Sequence, residues 1–134
     1  MKQIKRLAAL SICAIFLLAG CTKYGTAVSS IDSYSYANRQ LTVTAVVKDN
    51  GGCNYYMEQG FCYSLFCPPS INDVTSTQVK VHDYTEIDTF STVISLPLLD
   101  TAYYVCSYIK NSAGLSYSDV VKVSTKASDY PGTK

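Results

Sequence analysis

The chain has 134 residues, 48% of them apolar and 16% charged, with a formal charge of +1. That composition supports one buried core and excludes a disordered or collagen-like chain. Setting aside Lys2, Lys5 and Arg6, near the start, leaves 11 − 3 = 8 basic residues against 10 acidic ones; a balance of −2 offers no broad positive face for nucleic acid.

Those three cations open residues 1–20 as a basic segment ahead of the mostly apolar run from Leu7 to Leu18. Spanning a bilayer takes roughly 20 apolar residues, so the run predicts a signal-peptide core rather than a membrane helix. It ends in Leu18-Ala19-Gly20-Cys21, where small residues leave the backbone uncrowded for a protease. This stretch resembles a bacterial lipobox. The resemblance implies cleavage after Gly20, acylation of Cys21 by palmitate-type chains, and a mature protein anchored in the cell envelope, with the outer membrane as the expected site. One acyl chain holds a protein only marginally, so a stable anchor implies more than one. Residues 21–28 then form a lipidated tether, 29–125 the domain, and 126–134 a polar tail.

The domain is expected to be all-β, because period-two alternation recurs between turn signals and no helical period is sustained. A first strand is expected near Ile31–Tyr36. The run from Leu41 puts Leu41, Val43, Ala45 and Val47 on one face, and Asp49-Asn50-Gly51-Gly52 turns the chain. Phe61 and Tyr63 share a side of the strand Gln59–Ser64, which Cys67-Pro68-Pro69 ends. Thr77–Val81 reads as a polar edge strand. Phe90, Thr92, Ile94 and Leu96 align on a fifth strand, Tyr103–Ile109 alternates again, and Asn111-Ser112-Ala113-Gly114 turns into a last strand near Tyr117–Thr125. Seven short strands in this space predict a β-sandwich.

Six cysteines are present. Cys13 lies in the leader and Cys21 in the lipobox, so Cys53, Cys62, Cys67 and Cys106 remain, an even number that suits a disulfide-permissive compartment. Four cysteines allow three pairings and spacing does not choose among them. None of the short paired spacing of a zinc site occurs, so neither metal nor cofactor is expected.

Asp49-Asn50-Gly51-Gly52, Glu58-Gln59-Gly60-Phe61-Cys62-Tyr63-Ser64, Thr101-Ala102-Tyr103-Tyr104-Val105 and Lys110-Asn111-Ser112-Ala113-Gly114 closely resemble fibronectin type III-like repeats. The version concerned is common in surface and periplasmic lipoproteins of Bacteroidetes-type bacteria. The resemblance covers residues 29–125 and implies a seven-stranded immunoglobulin-like sandwich. It makes Tyr103 a tyrosine-corner residue whose hydroxyl ties down the turn entering the sixth strand. Two departures stand out. Ala45 lies near the place of the family's tryptophan, leaving Phe61, Tyr63 and Phe90 to fill the core, and Pro97-Leu98-Leu99-Asp100-Thr101 replaces the usual turn. In such a sandwich the third and sixth strands are antiparallel neighbours. The likeness then turns Cys62 and Cys106 outward on one face as a candidate disulfide. Cys53 and Cys67 flank opposite ends of the third strand and have no assigned pairing.

Catalysis is not expected. His82 sits in a polar stretch with no nucleophile elbow around a serine, Glu58 and Glu86 show no paired spacing, and Asp49-Asn50 and Asp83–Asp88 lack a calcium-loop pattern. Binding is the better expectation. Twelve tyrosines occur without a tryptophan, and Tyr104, Tyr108 and Tyr117 are expected on an outward face, with Tyr55 and Tyr56 ahead of the third strand. Tyrosine gives a rigid apolar face with a polar tip, which suits a protein or glycan ligand. A non-enzymatic structural or accessory role in an envelope assembly is the alternative.

Overall fold

A computed structural model of the chain describes residues 24–126. The expected leader, Cys21 and residues 127–134 of the expected tail lie outside the described residues. Eight strands follow one another: β1 (Val28–Ala37), β2 (Gln40–Asp49), β3 (Tyr56–Ser64), β4 (Ser76–Thr85), β5 (Thr89–Ser95), β6 (Ala102–Asn111), β7 (Gly114–Tyr117) and β8 (Val121–Ser124). They form two antiparallel sheets. One has the order β1-β2-β5; the other runs β4-β3-β6-β7, with β8 also paired to β6.

Local chemistry explains the tight turns. Asn38 and Arg39 both hold positive φ, at 54° and 63°, the geometry of a two-residue hairpin whose twist matches its strands. After β2, the Asp49 and Asn50 carboxyl and amide oxygens accept hydrogen bonds from Gly51 N and Gly52 N, each at 2.8 Å. Gly51 sits at φ 70°, and a Cβ there would press into the Gly25 carbonyl, so this turn is closed against the incoming chain.

The core lies between the sheets. Leu41, Val43, Ala45, Phe90 and Ile94 come from the three-stranded sheet; Phe61, Tyr103, Val105, Ile109 and Val123 come from the other. The expected aromatic filling is present: Phe61 and Phe90 meet at a tilt of 48° with 5.3 Å between ring centroids, and partly buried Tyr63 meets Tyr103 edge-on at 6.2 Å. Tyr103 Oη accepts from Leu98 N at 3.3 Å, tying down the turn before β6. Across the layers, the buried hydroxyls of Ser29 and Ser107 share a hydrogen bond of 2.8 Å.

The described strands number eight, not seven, because the expected last strand is interrupted. Between the rungs Val105–Val121 and Tyr108–Tyr117, β6 advances three residues while its partner advances four. Ser118 absorbs the extra residue. Its N donates to Ser107 O at 2.9 Å and its Oγ accepts from Ser107 N at 2.9 Å, so a side chain replaces a ladder carbonyl. A second irregularity falls between Gln59 and Gly60, where the β3–β4 register slips. The expected edge strand also extends further than Thr77–Val81.

Candidate functional site

Register puts the residues expected to form an outward face on one surface of the five-stranded sheet. Cys62 opposes Cys106, Gly60 opposes Tyr108, Glu58 opposes Lys110, and Tyr108 opposes Tyr117. That surface is not open, however. The loop 65–75 between β3 and β4 folds across its centre. Ser64 Oγ fixes the loop's base by donating to Thr75 O and accepting from Phe66 N, both at 3.0 Å. Further along, buried Pro69 presents its carbonyl 3.9 Å from Cys106 Sγ, and Ile71 N donates to Tyr117 Oη at 3.0 Å.

The expectation of an exposed tyrosine face is therefore corrected. Tyr108 is fully buried, Tyr104 is half-buried, and the hydroxyl of exposed Tyr117 is engaged by Ile71 and Ser70 of the covering loop. Cys62 and Cys106 do share the outer face, but beneath the loop, where both are buried free thiols. Contact with Cys62 and burial push the Cys106 thiol well above its usual range. Cys53, half-buried, and Cys67, exposed, flank the two ends of β3, also as free thiols.

Tyr108 is buried for a specific reason. A Cβ at Gly60 would meet the Tyr108 ring at 2.8 Å and press into the Val79 carbonyl, so only glycine leaves room for the ring. The phenol reaches over Gly60 to donate to Glu58 Oε2 at 2.5 Å and accepts from Gln78 Nε2 at 2.8 Å. Burial, reinforced by Glu58, pushes its pKa well above the ordinary tyrosine range. Glu58 is the hub. Its side chain is only 12% exposed, Gln78 Nε2 donates to it at 2.6 Å, and the ammonium groups of Lys80 and Lys110 lie 3.7 and 3.8 Å away. Sequence reasoning passed over Glu58, whose partners come from β4 and β6. The available signal was a glycine inside a strand, which marks close approach by a neighbour.

His82 lies half-buried on β4, its Nδ1 3.1 Å from Gln59 Oε1. Gln59 in turn donates Nε2 to Ile87 O at 2.6 Å, so the pair joins β3 to the β4–β5 turn. Among the described residues no group of three His, Cys, Asp or Glu is placed to hold a metal.

Tyr34 and Val93 are exposed on the three-stranded sheet, and other exposed apolar side chains gather at the two ends of the sandwich. At one end, where the chain enters at Tyr24, lie Tyr55, Met57, Tyr84 and Ile87. At the other end lie Leu65, Phe66 and Val74 on the covering loop, and Leu98 and Leu99 before β6. Phe66 is 64% exposed and Val74 fully so. Comparison of the chain with protein-family models and with curated proteins finds no match.

Proposed function

We propose that the chain is a lipid-anchored cell-envelope protein whose single fibronectin type III-like domain binds a protein or glycan through the end remote from its anchor. The observation that carries this reading is the exposed rim of Leu65, Phe66, Val74, Leu98 and Leu99. Loops at a sandwich end are the usual carriers of recognition, and apolar side chains left in water there favour a partner that covers them. The fibronectin-like assignment is supported by the antiparallel pairing of β3 with β6 and by the Tyr103 bond to the turn before β6. Export is supported by the Cys62–Cys106 rung: opposed Cβ atoms on paired strands lie about 4.5–5.5 Å apart, within adjustment of disulfide geometry. Oxidised, it closes a loop of about 44 residues and contributes about 3–4 kcal/mol. Mass spectrometry of the exported protein, denatured and alkylated without reduction, is expected to find neither Cys62 nor Cys106 alkylated.

The binding reading is tested by replacing Phe66 or Val74 with a photoreactive amino acid in intact cells, with Ser91 on the other sheet as control. The expected result is a discrete adduct from positions 66 and 74 and none from 91. Adducts from none of them would favour the structural accessory role. Tyr108→Ser is unsuitable as a binding test, because it removes a buried ring and strips a donor from Glu58.

A further inference from the structure

We infer that the end at which the chain enters the domain is a membrane-docking surface, seating Tyr24, Tyr55 and Tyr84 among the headgroups of zwitterionic lipid. The inference rests on the acylation of Cys21 proposed above and adds an orientation to it.

The covalent path comes first. Gly25 N donates to Gly51 O at 2.8 Å, and Asn111 Nδ2 donates to Gly25 O at 2.9 Å, so the chain is fixed to this end as soon as it arrives. Tyr24 is three residues from Cys21. Three residues span at most about 11 Å. Acyl chains rooted in a bilayer therefore hold this end close to the headgroup layer, whatever path the link takes.

The second observation is what this end presents. The Tyr55 and Tyr84 rings lie 6.3 Å apart between centroids. Met57 falls between the rungs Tyr56–Thr85 and Glu58–Asp83, level with Tyr84, and exposed Ile87 follows in the next turn. Tyr24 packs beside the turn, its Cδ1 3.7 Å from where a Gly52 Cβ would stand. Rings with apolar bodies and hydroxyl tips fit a boundary where one side is hydrocarbon and the other wet.

Third, Tyr84 is held at φ 48° while 67% exposed. A bulky side chain in the left-handed region is an outlier with a backbone cost. Burial of the ring does not offset that cost, and the conformation leaves the ring at the surface. Charge then selects the lipid. Asp49, Glu86 and Asp88 are exposed at this end against Lys48, with Lys23 in the link, so no cationic excess draws this end to anionic headgroups.

The test uses the full acylated chain in phosphatidylcholine–phosphatidylethanolamine vesicles doped with a gadolinium-chelated headgroup lipid, read by nuclear relaxation. Enhancement is expected at Tyr55, Met57 and Tyr84, with none at Phe66 or Val74. The double variant Tyr55→Ser, Tyr84→Ser changes only exposed rings, so it stays folded; the link still keeps this end near the lipid, and the expected result is a weaker enhancement at Met57 than in the unsubstituted chain, an unchanged one overturning the docking surface. Enhancement that is uniform, or centred on Phe66 and Val74, in protein whose acyl group is verified by mass would overturn the docking surface and leave the anchor standing. Recovery of Cys21 without an acyl group overturns both. Stronger enhancement when phosphatidylglycerol replaces the zwitterionic lipids overturns the lipid assignment.

Discussion

The two sheets solve the same problem differently. In the three-stranded sheet, β2 and β5 bury one face and leave the other to solvent, so Leu41, Val43 and Ala45 alternate with more accessible Thr42, Thr44 and Val46. In the five-stranded sheet, β3 and β6 are buried on both faces at their centres. The inner face packs in the core; the outer one carries the thiol rung, the Tyr108–Gly60 contact and the Glu58 hub beneath the loop 65–75. An outward face is thus a surface only where nothing folds back over it. Substitutions on the two outer faces should consequently have unequal effects.

The largest contrast is expected from Gly60→Ala, whose added methyl meets backbone and the Tyr108 ring. It should cost about 3 kcal/mol, read as a shift in urea midpoint, whereas Ser91→Ala on the exposed face of the other sheet should stay within about 0.5 kcal/mol. Equal effects would end the contrast. Next, Tyr108→Phe keeps the ring but removes the donor to Glu58, a loss of about 1.5–3 kcal/mol.

Alkaline titration sharpens the same point. Burial raises the folded-state pKa of Tyr56 and Tyr108 above the ordinary 10.0. An acid raised on folding contributes its full stability below its unfolded pKa and loses it as pH climbs from there towards the folded value. Unfolding free energy should therefore fall above pH 10.0, and fall less steeply in Tyr108→Phe. The smallest energetic effect is expected from Tyr117→Phe, which removes the acceptor of Ile71 N and costs about 1 kcal/mol. In the reduced protein it should speed alkylation of Cys62 and Cys106, because the loop above them loses a tie.

How much of this was legible follows from where each cause lies. The alternation of β2 and β5, the aromatic core and the Tyr103 tie are set by near neighbours and one apolar face, so they could be read from the chain. The rung joining Cys62 to Cys106 followed once β3 and β6 were expected to pair. The cover over that rung did not, because it depends on where residues 65–75 return, and a proline-bearing loop carries no period. Glu58 was missed since Gln78, Lys80, Tyr108 and Lys110 reach it from other strands. The split between β7 and β8 was missed because Ser118 imitates a backbone carbonyl, which its identity alone does not announce.

The slip between Gln59 and Gly60 has a consequence for life among neighbours. It displaces β4 in mid-strand, at the free margin of the five-stranded sheet, where Lys80 and Asp83 also project as an ion pair of 3.3 Å. A bent, charged margin is a poor template for another chain's strand. Copies that meet at this margin collide without zipping together.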